Sequence, residues 1–316
     1  MLVLVTGATG FLGRRVVPEL QEHHHQVRCL VHTPGRERIF APRSVDIYYG
    51  SVLDPGVLSG ACYDVEAVVH LVGVIRKQRS LTYDQINHQG LAAVIAAAKE
   101  NRVKHFLLVS AIGASGDRSF PYLYSKWQGE QVLANSGLPY TIIQSSIMFG
   151  AGDDFLNTIA GLVRVFPIVP VVGSGRNRLQ PVAVDDMARC VALALDREDL
   201  KGKIIELGGP QQISYNEIIA IVARTLGKRR LRFHLPVWMM YLMALAMESF
   251  MLRPPVTSGQ LRMLPIRNVA ELGAVEDAFG FTPRMLEGNI DYVRSVGLRD
   301  GLNILSGYLP AHVRDH

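Results

Sequence analysis

Cysteine is scarce: Cys29, Cys62 and Cys190 are the only three in 316 residues, and they stand too far apart for a metal-ligand spacing or a disulfide framework. A disulfide-stapled fold is thereby excluded, and a reducing compartment is expected, cytoplasmic or peripheral to a membrane. A strong excess of one charge is also missing. Lys and Arg number 33 against 28 Asp and Glu, a net +5 without a long basic block, which argues against nucleic acid as a partner. There is no internal repeat and no low-complexity linker. The chain opens directly on an apolar stretch at Leu2, so neither a secretory signal nor a transit peptide is expected. No metal site is expected either, because the His23-His24-His25 run falls at the end of a predicted first helix and reads as a solvated turn.

What is present is apolar: 48% of the residues, against 19% charged, enough to build one large core with a smaller satellite. Apolar runs alternate with amphipathic stretches, the mark of β/α units around a parallel sheet. Strands are expected at Leu2–Thr6, Gln26–Val31, Val45–Tyr49, Ala67–Leu71, His105–Ser110 and Tyr140–Gln144. The fold class that follows is α/β, a doubly wound parallel-sheet Rossmann fold with a smaller, interleaved C-terminal region. Residues 1–150 form the expected nucleotide domain and 151–316 the remainder, with a strand and helix near 180–200 rejoining the first. Short strands are expected near Gln180–Val184 and Ile204–Leu207, and helices from Asp185, with Asp185-Asp186 as N-cap, and from Ser214. The stretch Leu235–Leu252 is nearly devoid of polar groups, interrupted by Glu248 and flanked by Arg229, Arg230, Arg232 and Arg253. It reads as a buried or partner-covered helix, a membrane-surface helix, or a span.

Directly after the first strand comes Thr6-Gly7-Ala8-Thr9-Gly10-Phe11-Leu12-Gly13, with helix expected from Phe11. Glycines at these intervals serve a tight turn, a close approach of backbone to a pyrophosphate, and close packing of helix on strand. The helix N-terminus adds free N–H groups and a favourable dipole for phosphate. Pro18 within that helix predicts a kink. At the end of the second strand, where an Asp or Glu would take the ribose hydroxyls of NAD(H), the chain reads Val31-His32-Thr33-Pro34-Gly35-Arg36-Glu37-Arg38. His32, Thr33, Arg36 and Arg38 suit a 2′-phosphate, so NADP(H) is favoured, with NAD(H) as the alternative. Further along, Tyr122 and Lys126 are four residues apart, one helical turn on one face. An ammonium beside a phenol would lower the phenol's pKa for proton exchange with a substrate, and Lys126 would also hold the nicotinamide ribose.

With these motifs the chain resembles the short-chain dehydrogenase/reductase superfamily, in particular its extended, epimerase/dehydratase-like members and the atypical subgroup related to the nucleotide-binding accessory subunit of mitochondrial complex I. Further matching segments are Val69-His70-Leu71-Val72-Gly73-Val74-Ile75, Asn87-His88-Gln89-Gly90, Val109-Ser110-Ala111-Ile112-Gly113-Ala114, Gly129-Glu130, Phe149-Gly150-Ala151-Gly152-Asp153-Asp154-Phe155 and Gln180-Pro181-Val182-Ala183-Val184-Asp185-Asp186. The resemblance implies a catalytic set of Tyr122, Lys126, Asn87 and Ser110. Asn87 would support a proton-relay water. Ser110 closes the fifth strand, whereas many extended members carry the hydroxyl one position later, here Ala111. For the cofactor the resemblance implies Gly7, Thr9, Gly10, Phe11, Leu12, Gly13, His32, Arg36, Ser51, Val52, Leu71, Val72, Gly73 and Lys126. Two departures stand out: Ser51 where relatives carry Asp, and Gln144-Ser145-Ser146 where they carry Arg-Pro-Ser.

Two functions follow. One is an oxidoreductase or epimerase-type enzyme with a small-molecule substrate, hydride transfer at the nicotinamide and Tyr122 as acid/base. The other is a non-catalytic nucleotide-binding subunit or assembly factor of a membrane-associated redox complex, docked on a membrane surface or protein partner through residues 235–252.

Overall fold

The computed structural model describes every residue except 42–43, 76–80, 252–253 and 315–316, so Leu252 and Arg253 at the end of the apolar run lie outside the described residues. The chain divides into two units. The first comprises Met1–Ser145, Val184–Leu207 and Ala274–Phe281; the second comprises Ser146–Ala183, Gly208–Gly273 and Thr282–His316.

The first unit is a seven-stranded parallel sheet flanked by helices, a Rossmann fold. Its strands are β1 (Leu2–Thr6), β2 (Gln26–Val31), β3 (Asp46–Tyr49), β4 (Ala67–His70), β5 (His105–Ala111), β6 (Tyr140–Ser145) and β7 (Lys203–Leu207). Its helices are α1 (Gly13–Glu22), α2 (Pro55–Ala61), α3 (Leu91–Glu100), α4 (Pro121–Ala134), α5 (Val184–Leu195) and α6 (Ala274–Phe279). The spatial order β7-β6-β5-β4-β1-β2-β3 reverses direction between β1 and β4. Central strands buried on both faces explain the near-continuous apolar runs of the sequence. Leu4, Val68, Phe106, Leu108 and Ile142 pack with Leu58, Leu91, Val94 and Leu133 of α2, α3 and α4. The alternate residues Val3, Val5, Val69, Leu107 and Ile143 are equally buried and face the other side of the sheet.

Several expectations are corrected by tertiary packing. Helix α1 begins at Gly13, not Phe11, because Gly10 N–H closes a turn onto the Gly7 carbonyl first. Pro18 lies inside α1, where its ring forfeits a helical N–H bond. The expected strand at Gln180–Val184 shrinks to Val182–Ala183, and α5 starts at Val184. Asp185 and Asp186 therefore occupy its first turn rather than the N-cap, favourably placed for the helix dipole, and Arg15 pairs with Asp185 at 3.3 Å. The histidine run is not wholly solvated. His25 is buried, and both His25 and His23 lie 3.1 Å from Asp196.

The second unit gathers Leu156, Ile159 and Val163 of the helix Asp154–Val165 with Ile218 and Val222 of the helix Tyr215–Thr225 and with Ile304 of the helix Leu298–Leu305. Ser214 and Glu217 form the capping box that starts the second of these helices. A parallel two-stranded ribbon joins Ile168–Val172 to Leu231–Leu235. The apolar run forms the helix Val237–Phe250, with only Met240 and Ala244 buried, which overturns the reading as a buried helix. No helix among the described residues is long and apolar enough to cross a membrane.

Three histidines of the first unit are held neutral by burial. His70 is pushed down to about 3, by desolvation first and the Lys126 charge second, and His25 and His105 are also lowered. With folded values below the unfolded value of about 6.5, the unfolded state takes up protons first, and stability falls as pH drops below that point. The melting temperature is expected to decline from about pH 6.5 downward, with His70 alone contributing about 1.4 kcal/mol per pH unit. His70→Gln should flatten that slope in thermal melts across the same range; an unaltered slope would contradict the assignment.

Candidate functional site

The reversal of strand order places the C-terminal ends of β1 and β4 side by side, with Thr6 opposite His70 in register. Thr6 Oγ1 is 2.9 Å from His70 Nδ1, and Leu71 N–H donates to the Thr6 carbonyl at 3.0 Å. In open α/β sheets this is where a crevice forms. Gly7 turns the chain at φ +76°, and a Cβ there would lie 3.0 Å from Val72 N and 3.1 Å from the Leu71 carbonyl carbon. At Gly13 a Cβ would lie 2.2 Å from the Gly7 oxygen and 2.5 Å from the Ala8 oxygen. Thr9 and Phe11 are half-buried and Gly10 is exposed on the turn. Leu12 is buried beneath it. Arg14 N–H donates to the Gly10 carbonyl at 3.1 Å and Val16 N–H to the Leu12 carbonyl at 3.0 Å, so the turn Gly10–Gly13 at the head of α1, opening on an exposed glycine, is the backbone a pyrophosphate could approach.

Beside this turn, the residues that follow β2 are mostly cationic or neutral. His32, Thr33, Arg36 and Arg38 are exposed. Glu37 is the nearest acid, and N–H donors of its own turn and then the Tyr49 hydroxyl hold its carboxyl below the usual range. At the other rim, Ser51 Oγ accepts from Leu53 N–H at 3.1 Å, and Val52 is buried.

Tyr122 and Lys126 lie one turn apart on α4. Lys126 is buried, donates from Nζ to the Val109 carbonyl at 3.0 Å, and is pushed down to about 8 by desolvation, with Glu130 opposing the shift. A Cβ on Gly73 would stand 3.4 Å from that Nζ and 3.7 Å from Asn87 Oδ1, so the glycine keeps the surface above the ammonium open. Leu71 and Val72 lead into it, half-buried. Asn87 belongs to a π-wound segment, Asp84–Gly90, that runs into α3. It is buried, accepts from Val74 N–H at 2.9 Å, and donates to the Val74 carbonyl at 3.2 Å and to Ser125 Oγ at 3.0 Å. Ser125 Oγ in turn donates to the Tyr122 carbonyl at 2.7 Å. Both amide hydrogens of Asn87 are thus engaged on protein, tying the β4 exit to α4.

The expected lowering of the Tyr122 pKa is not found. Desolvation pushes the phenol up to about 12, and the Tyr83 ring, edge-on at 6.0 Å, adds to it. Lys126 turns its ammonium to Val109 instead. Ser110 is likewise not delivered to Tyr122. Its hydroxyl donates to the buried Glu130, which also accepts from Gln144 Nε2 at 3.0 and 2.9 Å. Ser110 and Gln144 are register partners on β5 and β6, facing α4 together. Glu130 lies two turns beyond Tyr122, about 12 Å along the helix axis. Sequence reasoning did not foresee roles for Glu130, Ser125 and His70. The four-residue step from Lys126 to Glu130 was a usable signal; the approach of Ser110 and Gln144 was not.

Comparisons with known proteins agree with this geometry. An NAD(P)H-binding family matches residues 7–153. A mitochondrial NADH dehydrogenase [ubiquinone] 1 alpha subcomplex subunit 9 from Arabidopsis thaliana is 30% identical over 233 residues, 70% of this chain but only 57% of that protein's length. A ceramide reductase from Caulobacter vibrioides is 27% identical, covering 74% of each chain. In fold, a UDP-glucuronic acid 4-epimerase from Bacillus cereus superposes with a TM-score of 0.70 at 20% identity, over 94% of this chain and all of the other. With its glycine turn and these relatives, the chain is identified by residues 7–153 as carrying an NAD(P)H-binding Rossmann domain, and it is similar to extended short-chain dehydrogenase/reductase proteins.

Proposed function

We propose that the protein is an NADPH-preferring reductase of a carbonyl or quinone-type substrate, in which Tyr122 is the proton donor. The observation that carries this is the placement of Tyr122 and a buried Lys126 one turn apart on α4, beside a glycine turn that suits a nucleotide. The Gly7–Gly13 turn would receive the pyrophosphate, Lys126 with Gly73 the nicotinamide ribose, and His32, Arg36 and Arg38 the 2′-phosphate. The bound cofactor supplies hydride to the substrate carbon. A phenol raised to about 12 stays neutral at physiological pH, so Tyr122 acts as an acid, giving its proton to the oxygen that the reduction leaves charged. Lys126, cationic below about 8 and bonded to the Val109 carbonyl, holds its place beneath Gly73 for the ribose, and solvent restores the proton to Tyr122. Ser125 and Asn87 fix the backbone beneath Tyr122.

A second reading is favoured by the missing hydroxyl. Ser110 is bound to Glu130 and the next residue is Ala111, so no side chain of that pair polarises a substrate oxygen. A nucleotide-binding subunit or assembly factor needs none, and the Arabidopsis relative is named as a subunit.

Fluorescence titration of nucleotide-free protein is expected to give NADPH the tighter binding, by roughly tenfold or more over NADH, the range of a charge-assisted hydrogen bond. Arg36→Ala should remove most of that difference, and Gly10→Val should abolish both by blocking the pyrophosphate. Unchanged NADPH affinity in the Gly10 variant would refute the cradle.

Mixing NADPH-loaded protein with quinones, aldehydes and nucleotide sugars is expected to oxidise the cofactor with at least one class. Tyr122→Phe should lower that rate by roughly 10²-fold or more while leaving NADPH affinity intact. Tight binding with no oxidation by any of them would favour the subunit reading.

NADPH affinity should weaken as pH rises through about 8, where Lys126 loses its proton. Because the Glu130 charge raises the Lys126 value, Glu130→Gln should shift this limb to lower pH, and Lys126→Met should erase it. A limb unmoved in Glu130→Gln would show that another group titrates.

A further inference from the structure

The helix Val237–Phe250 turns Met240 and Ala244 inward and leaves its opposite face bare. Trp238 is 66% exposed, Leu242 58% and Phe250 89%, and Met243 and Leu245 are exposed beside them. Ser249, the hydroxyl on that side, is turned back on the Ala246 carbonyl at 2.7 Å, and Glu248 is held by Ser258 of the neighbouring short helix. The face therefore offers a partner almost no hydrogen-bonding group. The adjoining ribbon continues the pattern: Leu231, 71% exposed, lies opposite Ile168, and Phe233, 58% exposed, opposite Pro170, on one face of the strand pair. Val172 and Leu235, at the ribbon's end, pack against the helix core. An open groove of ≈ 400 Å³ runs past Trp238, Tyr241, Leu242 and Leu261 to Arg262, whose guanidinium bonds the Tyr241 hydroxyl at 2.5 Å.

Around this apolar surface the charge is one-sided. Between Glu217 and Glu271 the chain has eight Lys and Arg and one carboxylate, Glu248, and of the eight Arg224 is paired with Glu287 at 2.8 Å. Lys228 and Arg229 are exposed where the chain enters the ribbon. Arg230 and Arg232 follow, anchored through the Val163 and Asn216 carbonyls at 2.7 and 3.0 Å.

We infer that this face of the second unit is a docking surface for an anionic lipid bilayer, with the helix lying in the headgroup region and the cationic residues on lipid phosphates. Three observations select a bilayer. Protein interfaces carry about one hydrogen bond per 100–200 Å², and this face presents hardly any group to make one. The cationic rim complements anionic lipid, where each such residue near the surface contributes about 1 kcal/mol. Trp238, on the same exposed stripe as Leu242 and Leu245, adds a large ring of the type enriched at membrane–water interfaces. At 14 residues, about 21 Å, the helix is too short to span the hydrocarbon core.

The test is co-sedimentation of the full chain with sucrose-loaded vesicles, of phosphatidylcholine alone and of phosphatidylcholine mixed with phosphatidylglycerol. Binding is expected to the mixed vesicles, much weaker to pure phosphatidylcholine, and reduced by added salt. The double substitution Trp238→Ser/Leu242→Ser should lower the partition coefficient by roughly tenfold or more, and Arg229→Gln by about fivefold. Each variant is first shown by circular dichroism and thermal melting to fold as the parent does. With Trp127→Phe leaving Trp238 as the sole tryptophan, its emission should shift to the blue on binding and be quenched by brominated acyl chains. Failure to sediment with the mixed vesicles overturns the proposal. So does sedimentation indifferent to these substitutions, or burial of Trp238 by self-association or by a protein partner without lipid.

Discussion

Where β1 and β4 leave the sheet, the backbone of Gly7 lies against Leu71 and Val72 so closely that a Cβ would meet the Val72 nitrogen at 3.0 Å. That contact joins two strands that are neighbours in space but whose paired residues are 64 apart in sequence, at the point where strand order reverses. The turn that follows, pinned by Gly13 against the Gly7 carbonyl, sets the direction of α1 and hence of its dipole. On the β4 side, the segment running to Gly73 brings that glycine over Lys126 and hands Val74 to Asn87. Phosphate cradle and Tyr/Lys pair thus descend from one backbone junction.

Beneath the pair lies a second constraint, a buried polar cluster of Lys126, Glu130, Ser110 and Gln144. A carboxylate with so little exposure is costly unless its oxygens are met, and here a hydroxyl and an amide meet them. The cluster holds α4 against β5 and β6 and leaves a carboxylate near enough to keep Lys126 from losing its proton at neutral pH. Its consequence for chemistry is negative as well as positive: the hydroxyl that could have polarised a substrate oxygen is committed to structure.

Much of the fold could be read in advance, for a physical reason. Strands buried on both faces must be largely apolar along their length, so Leu2–Thr6 and Gln26–Val31 stand out with their ends as expected, and the strand expected at Tyr140–Gln144 runs one residue further, to Ser145. The glycine turn and the one-turn spacing of Tyr122 and Lys126 are local patterns, and they survived. What stayed hidden depends on register. Ser110 sits opposite Gln144 only because β5 and β6 pair as they do, and nothing in either segment reveals that both face Glu130. His25 meets Asp196 across more than 170 residues, which no turn pattern foretells. The helix Val237–Phe250 is apolar on all sides, so composition could not say which face lies outward; only the packing of Met240 and Ala244 decides it.

The two units divide the labour. The first holds the nucleotide machinery, while the second bears an unpartnered apolar face among cationic residues. For the central claim, that the β1/β4 junction is a nicotinamide dinucleotide site ending at Tyr122, the most direct measurement is a crystal structure of the protein grown with NADPH. The account predicts pyrophosphate density on the Gly10–Gly13 turn and the nicotinamide ribose on Lys126, with the ring beside Tyr122. A dinucleotide bound elsewhere, or none at saturating concentration, would contradict it.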